Sequence, residues 1–249
     1  MLTSLLDGQV IAQRYGLGLP SVVALHGWGR SAQDWAEVLR SSDALALDLP
    51  GFGNSPLPSH VMGSPEYADL VLRALRNVTK TPFTLVGHSF GGRVAAQIAA
   101  REPDLIAGLV LTGVPLFRPT VRAKPPLALR SAKTLNRLNL LPTGTVERLR
   151  NRYGSADYRA TSGVMRGTFV RLVNEDYEAV VSAIATSEIP VSLVWGEYDQ
   201  EVPVSVGARI KERIGRSDFR VVSGAGHFLD WSISKELRFA INDLSTTHH

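Results

Sequence analysis

Residues 83–92 have the sequence Phe-Thr-Leu-Val-Gly-His-Ser-Phe-Gly-Gly, which places a serine between a predicted strand and a predicted helix. The apolar run 83–86 is typical of a buried strand, and the alanine-rich segment 89–101 has helical spacing. A sharp strand-to-helix turn strains its central residue, and small residues two positions away on either side prevent collisions. Ser89 would then expose its Oγ above the sheet, where the helix N-terminus favours negative charge. The alternative is an ordinary glycine-rich turn in which Ser89 caps the helix.

Other short apolar runs predict further strands, and most of them are followed by segments with helical periodicity. These runs lie at residues 22–25, 44–47, 106–112, 190–195 and 219–222, with an edge strand near residues 9–14. Alternating strands and helices indicate an α/β fold with a mostly parallel sheet that helices cover on both faces. The alternation stops over residues 115–187, which we interpret as a helical cap inserted between two core segments, residues 1–114 and 188–249.

A serine hydroxyl becomes a useful nucleophile only beside a base that an acid orients. In folds with this kind of turn the three residues follow in the order serine, acid, histidine. Asp199 follows the predicted strand 190–195, and His227 follows the strand 219–222. Both residues therefore lie at carboxyl ends of strands, the edge of the sheet where Ser89 is expected.

Two other acids compete with Asp199 for the place beside the histidine. Glu197 lies in the same loop, and Asp230 lies three residues after His227. We favour Asp199 because it lies beyond the turn, just before the Val-Pro pair that opens the next helix. Asp230 is predicted to cap a helix or to face solvent.

The charge that develops on a reacting carbonyl oxygen needs two hydrogen-bond donors. The backbone N–H of Phe90, directly after the serine, is one candidate, and the loop after the first parallel strand supplies the other. That loop is His-Gly-Trp-Gly at 26–29, and the N–H of Trp28 is its candidate donor. The alternative for Trp28 is a packing residue. We expect His26 and His88 to be structural, because neither is placed to act as a second base.

These motifs together resemble those of the α/β-hydrolase family, and the resemblance extends over nearly the whole chain. The matching segments are His-Gly-Trp-Gly at 26–29, Asp-Leu-Pro-Gly-Phe-Gly-Asn-Ser at 48–55, Gly-His-Ser-Phe-Gly-Gly at 87–92, Trp-Gly-Glu-Tyr-Asp at 195–199 and Gly-Ala-Gly-His at 224–227. The resemblance implies an eight-stranded, mostly parallel sheet with an inserted cap. Haloalkane dehalogenases and epoxide hydrolases of the family have an aspartate in place of Ser89, so neither activity is favoured.

Within the family, the short motifs resemble those of carboxylesterases of the pimeloyl-carrier-protein methyl ester esterase type. Those enzymes also carry His-Gly-Trp-Gly, but their serine is flanked by Trp and Leu rather than by His88 and Phe90. We therefore expect a serine hydrolase of carboxylic esters or related acyl compounds, with Ser89, Asp199 and His227 as its triad and no cofactor or metal. Two alternatives stay open: a C–C bond hydrolase or menaquinone-pathway-type lyase on the same triad, and a non-catalytic ligand-binding relative.

Charge is distributed unevenly along the 249 residues, whose net charge is +4. Residues 115–187 contain 12 basic and 5 acidic residues, a balance of +7, whereas the rest has 15 basic and 18 acidic residues, a balance of −3. The cap is either a solvated arginine-rich surface or a site that attracts an anionic substrate or an acidic acyl carrier. Nucleic acid is not expected, because the arginines are not interleaved with stacking aromatic residues.

Composition excludes several classes of protein. The chain has no cysteine, which removes disulfides, thiolate metal sites and cysteine nucleophiles. The most apolar stretch, residues 105–117, has 13 residues. A membrane-spanning helix needs about 20. The first residues lack the basic and apolar regions of a secretory leader, so we expect a cytoplasmic protein.

Overall fold

An eight-stranded sheet organises the computed structural model, which describes residues 1–76, 78, 79, 81–118, 142, 145 and 155–246. The strands are β1 (Leu2–Leu5), β2 (Val10–Tyr15), β3 (Val22–Leu25), β4 (Ala44–Asp48), β5 (Phe83–His88), β6 (Ile106–Thr112), β7 (Val191–Gly196) and β8 (Asp218–Val222). Their order across the sheet is β1-β2-β4-β3-β5-β6-β7-β8. β2 pairs antiparallel with both β1 and β4, and the other adjacent pairs of these strands are parallel, so the predicted mostly parallel α/β sheet is confirmed.

Helices connect the strands and cover both faces of the sheet. They are α1 (Ala36–Leu39), α2 (Ser64–Leu75), α3 (Ser89–Arg101), α4 (Ala156–Ala160), α5 (Gly163–Leu172), α6 (Glu178–Thr186), α7 (Val204–Ile214) and α8 (Trp231–Thr246), with 3₁₀ turns at Leu6–Gly8, Ala32–Trp35 and Pro103–Leu105. None of the helices in the described part of the chain is long and apolar enough to cross a membrane.

Alternate residues of the central strands face two separate hydrophobic layers. In β3, Val23 and Leu25 pack on the face that α2, α3, α6 and α7 cover. Val22 and Ala24 pack on the opposite face, against α1 and α8. Because both faces are buried, these strands are apolar along their whole length and are easy to recognise in the sequence.

The strand β1 was not predicted from the sequence. Because it is present, the prediction that β2 is an edge strand is wrong. Residues 9–14 were expected to form an edge strand, but β2 pairs with β1 on one side and with β4 on the other. In β1 only Leu5 is buried, so the strand has no continuous apolar run. It forms because backbone pairing with β2 satisfies the hydrogen bonds of an otherwise exposed edge.

Much of the predicted cap lies outside the described residues. These include eight of its twelve basic residues: Arg122, Lys124, Arg130, Lys133, Arg137, Arg148, Arg150 and Arg152. Within the described part, α6 packs against α3 and α7 in the helical layer over the sheet. Thr168 of α5 accepts a hydrogen bond from the N–H of Met62, at 3.1 Å, which ties α5 to the segment before α2. The boundaries at 115 and 187, and the role of the basic charge, stay predictions.

Candidate active site

The turn between β5 and α3 holds Ser89 in a strained conformation. Its φ is +49°, in the left-handed region that residues other than glycine rarely occupy. Close packing enforces this conformation: a Cβ on Gly91 would collide with the carbonyl group of Leu25, and one on Gly92 would collide with the side chain of Val114. The sharp turn predicted from the glycine spacing is therefore present, with the serine at its apex.

His227 and Asp199 form a buried hydrogen-bonded pair beside this turn. His227 Nδ1 lies 2.8 Å from Asp199 Oδ2, and the exposed fractions of the two side chains are 6% and 1%. The other carboxylate oxygen, Oδ1, accepts the backbone N–H groups of Val202 at 2.7 Å and Glu201 at 3.0 Å. The loop after β7 thus fixes the carboxylate, which in turn fixes the orientation of the imidazole.

The two competing acids are engaged elsewhere. Glu197 Oε2 accepts the N–H of Gly224 at 3.0 Å and the hydroxyl of Ser223 at 2.8 Å, and these hydrogen bonds lower the pKa of the Glu197 carboxyl. Glu197 therefore joins the loop after β7 to the loop after β8. Asp230 Oδ1 accepts the N–H of Ile233 at 3.0 Å, so Asp230 caps α8 as the sequence predicted.

A cavity of about 220 Å³ includes Ser89, Trp28 and Phe90 in its wall. Because α3 begins at Ser89, the N–H of Phe90 belongs to the first turn and has no partner within the helix. The Trp28 ring packs at 4.8 Å from the ring of Phe52, 5.4 Å from that of Phe90 and 5.3 Å from that of Phe169. The side chain of Trp28 is thus a packing group, and its backbone stays the candidate donor.

His26 and His88 are structural, as expected. His26 Nδ1 donates to the Gly27 carbonyl at 2.7 Å, and its Nε2 accepts the N–H of Leu49 at 3.0 Å. These contacts require the neutral ring, and burial lowers the pKa of His26. His88 Nε2 donates to the carbonyl of His227 at 2.9 Å. Burial, followed by the charge of His227, lowers the pKa of His88 to about 3.

Comparison with known proteins identifies the family. The family model described as alpha/beta hydrolase family matches residues 22–236. The chain belongs to this family. It is similar to a 2-hydroxy-6-oxononadienedioate/2-hydroxy-6-oxononatrienedioate hydrolase of Paraburkholderia phymatum, with 28% identity over 247 residues that cover 87% of this chain and 83% of the relative.

Two further similarities are consistent with that assignment. An esterase of Mycobacterium tuberculosis is 37% identical over 110 residues, which cover 43% of this chain and 37% of the esterase. The solved structure of a meta-cleavage product hydrolase from Pseudomonas fluorescens superposes with a TM-score of 0.71 at 18% identity, over 99% of this chain and 98% of that one. The family and its named members make this protein a hydrolase.

Glu201 is a residue of this hydrolase that sequence analysis missed. Its Oε2 lies 3.4 Å from His227 Nε2, the ring nitrogen that faces away from Asp199, and its side chain forms part of the same cavity wall as Ser89. Within the described residues, the Ser89 hydroxyl makes no hydrogen bond to His227. Nothing in the local pattern distinguishes Glu201 from an ordinary loop acid.

Arg93 is a second missed residue, one helical turn after Ser89. Its guanidinium donates to the carbonyls of Leu172 at 2.8 Å and Pro115 at 3.2 Å, and burial lowers its pKa. The cavity wall also carries Asp157, whose carboxyl pKa is raised by burial. The described part of the wall therefore contains one arginine, Arg93, and two carboxylates, those of Asp157 and Glu201.

Asp48 fixes the loop that carries the candidate donor Trp28. It is buried at the end of β4, where Oδ1 accepts the N–H of Ala32 at 2.7 Å and Oδ2 accepts the N–H of Asn54 at 2.8 Å. One carboxylate thus joins the loops after β3 and β4. Across the described ranges, no group of three or more histidine and acidic side chains is arranged to hold a metal ion.

Proposed function

We propose that this hydrolase cleaves carboxylic esters or related acyl compounds through an acyl-enzyme formed on Ser89. The observation that carries the proposal is the buried hydrogen bond between His227 and Asp199 beside a strained, cavity-facing serine. A serine at such a turn gains reactivity only if a base takes its proton, and an orienting carboxylate keeps that base in the useful tautomer. The three residues follow along the chain in the order expected for this fold.

In the first step, the Oγ of Ser89 attacks the carbonyl carbon of the substrate. The C=O electron pair moves to oxygen, and the serine proton moves to Nε2 of His227. Asp199, bonded to Nδ1, stabilises the imidazolium that forms. The N–H groups of Phe90 and Trp28 stabilise the oxyanion. One such donor typically contributes about 10²–10³-fold to the rate.

In the second step, the tetrahedral intermediate collapses and the leaving group departs with the proton from Nε2. Water then attacks the acyl-enzyme and gives a proton to the same nitrogen. The bond between the acyl carbon and Oγ breaks, Oγ takes that proton back from Nε2, and the acid is released. The aromatic residues Trp28, Phe90 and Phe169 line the cavity and provide apolar walls for the acyl group next to the reacting carbon.

Replacing the nucleophile tests this proposal directly. We expect Ser89→Ala to lower kcat for p-nitrophenyl butyrate by at least about 10⁴-fold, because a triad loses nearly all its function with its serine. A fluorophosphonate probe should label the wild type but not the variant. Ser223→Ala is the matched control: its hydroxyl bonds to Glu197 in a neighbouring loop, and the wild-type rate should persist. Hydrolysis by Ser89→Ala at the wild-type rate would exclude the mechanism, and an unlabelled wild type would favour a non-catalytic binding protein.

A second candidate activity is hydrolysis of a C–C bond in a vinylogous diketone. It is supported by the similarity to the Paraburkholderia phymatum hydrolase over most of both chains. The charge of the cavity favours esters, because in its described wall a single arginine faces two carboxylates and so offers little attraction for a dianion. Measuring kcat/KM for p-nitrophenyl esters and for a 2-hydroxy-6-oxo-dienoate side by side separates the two activities.

A further inference from the structure

Two carboxylates from one short loop lie at the two ring nitrogens of His227. Asp199 Oδ2 is 2.8 Å from Nδ1, and Glu201 Oε2 is 3.4 Å from Nε2. Because Asp199 Oδ1 accepts the backbone N–H of Glu201, the conformation that buries the first carboxylate also places the second. Their exposures differ sharply: the side chain of Asp199 is 1% exposed and that of Glu201 is 56% exposed.

We propose that Glu201 is a positioning residue that holds His227 in a resting state and must move away before His227 takes the proton of Ser89. The inference rests on the proposed function, in which Nε2 is the atom that accepts that proton. It adds a device that controls when the base is available: a solvent-exposed carboxylate that competes with the serine for the same nitrogen.

The chemistry of imidazole explains why this contact opposes catalysis. A neutral histidine has one N–H donor and one bare acceptor nitrogen. With Nδ1–H donated to Asp199, Nε2 must be bare to act as a base. A carboxylate at Nε2 has nothing to offer a bare nitrogen, so it favours the doubly protonated ring, which cannot accept a proton. The absence of a Ser89–His227 hydrogen bond among the described residues is consistent with such a resting state.

The other charged groups around His227 act differently from Glu201. The His88 ring lies 4.8 Å away, and its low pKa keeps it neutral. Asp157 acts in the same direction as Glu201 but only through space, since its carboxylate and the charge of His227 attract each other. Arg30 lies 5.3 Å from the centre of the Phe228 ring, and its charge is paired with Asp34.

The exposure of Glu201 makes its contact with His227 easy to break. Ion pairs that remain open to water are worth little, because solvent screens them and both partners are readily rehydrated. A substrate that enters the cavity lined by Glu201 and Ser89 can therefore displace the carboxylate at a small cost in free energy. Asp199, in contrast, is held by two backbone N–H groups and stays in place.

Glu201→Gln tests the proposal, because it removes the charge and keeps the size of the side chain. The readout is the rate at which a fluorophosphonate labels Ser89 as a function of pH. Oγ attacks phosphorus, fluoride leaves, and the serine proton goes to Nε2. We expect the acid-side midpoint of this profile to move down by about half a pH unit, which raises the rate below the midpoint about threefold. Glu197→Gln, the matched control in the same loop, should leave the midpoint where it is.

A second readout keeps the test independent of the proposed activity. The Nδ1–H proton resonance of His227 at a fixed pH, assigned by its loss in His227→Gln, should shift in Glu201→Gln and not in Glu197→Gln. An unchanged labelling midpoint together with an unchanged His227 resonance would overturn the proposal. A rise in the KM for p-nitrophenyl butyrate as the sole effect would also overturn it, since that assigns Glu201 to substrate binding. If the fluorophosphonate never labels the wild type but the His227 resonance shifts in Glu201→Gln, the proposed activity is excluded and the interaction of Glu201 with His227 is supported.

Discussion

The proposed nucleophile side and the proposed acid–base side of the candidate site are built on different physical principles. The proposed nucleophile side comprises residues 26–29, in the loop after β3, and residues 87–92, where β5 passes directly into α3. There, glycines allow main chain to touch main chain, and aromatic rings fill the space above. The acid–base side comprises residues 197–203 and 223–230, the loops after β7 and β8. There, carboxylates hold the loops by accepting hydrogen bonds from N–H groups and from an imidazole.

This difference predicts which kind of substitution each side tolerates. Close packing has no room for an added methyl group, so the nucleophile side should be sensitive to volume. Orientation of an imidazole by a carboxylate depends on charge and on the direction of protons, so catalysis should be sensitive to an isosteric change at Asp199, the carboxylate on the acid–base side that bonds to His227. A substitution that adds volume on the nucleophile side should therefore affect folding, whereas an isosteric substitution at Asp199 on the acid–base side should affect catalysis.

Asp199→Asn should produce the largest effect. The amide keeps the shape of the carboxylate but no longer holds His227 in the tautomer whose Nε2 is bare. A change of this type in a serine triad lowers kcat about 10⁴-fold. The measurement is kcat for p-nitrophenyl butyrate, with circular dichroism to verify folding. The control is Glu197→Gln, whose carboxylate bonds to Ser223 and Gly224, and it should keep kcat within about threefold. Retention of a tenth of the activity in Asp199→Asn would exclude Asp199 as the orienting acid.

Gly91→Ala should produce the largest effect on folding. The new Cβ would collide with the carbonyl group of Leu25 in the buried strand β3, where the backbone cannot give way. We expect the free energy of unfolding in urea to fall by about 3 kcal/mol.

Gly226→Ala is the matched control for that methyl group. A Cβ at Gly226, on the acid–base side, would meet no atom within 4 Å, and its backbone is not left-handed. We expect the free energy of unfolding to change by less than about 0.5 kcal/mol. Equal losses in the two variants would show that volume does not distinguish the two sides.

The fold and the sharp turn at Ser89 were predictable from the sequence because both rest on local patterns. Buried parallel strands such as β3 and β5 are continuously apolar, and a turn as tight as that at Ser89 requires glycines at fixed spacing. Asp199 and His227 were predictable for a related reason: each follows its own strand, and parallel strands end at one edge. The strand β1, half-exposed and without an apolar run, offered no such pattern.

The remaining features depend on distances that no local pattern encodes. Only the folded chain brings the Glu201 carboxylate to the far nitrogen of His227, and only the folded chain places Arg93 in the cavity wall. Both are ordinary residues in a loop and a helix until the chain is folded. Asp48 was part of a recognised motif, yet its role in joining two loops follows only from its bonds to Ala32 and Asn54.

His88 joins the two sides, and this position predicts a smaller, pH-dependent effect on stability. It follows β5 on the nucleophile side and donates to the carbonyl of His227 on the acid–base side. Burial lowers its pKa from 6.5 to about 3, so the folded state takes up this proton far less readily than the unfolded state. Stability from the neutral ring is therefore complete above pH 6.5 and is lost as pH falls toward 3.

His88→Gln removes this titration and keeps a donor for the His227 carbonyl. At pH 5 the wild type lies 1.5 pH units below the unfolded pKa, which corresponds to about 2 kcal/mol of lost stability from His88. The free energy of unfolding in urea, measured at pH 7.5 and at pH 5, should thus fall by about 2 kcal/mol more in the wild type than in His88→Gln. His26 is also buried and neutral, but it is present in both proteins and its contribution cancels. Equal losses would mean that His88 can be protonated in the folded protein, and that the contact between the two sides opens to water as the pH falls.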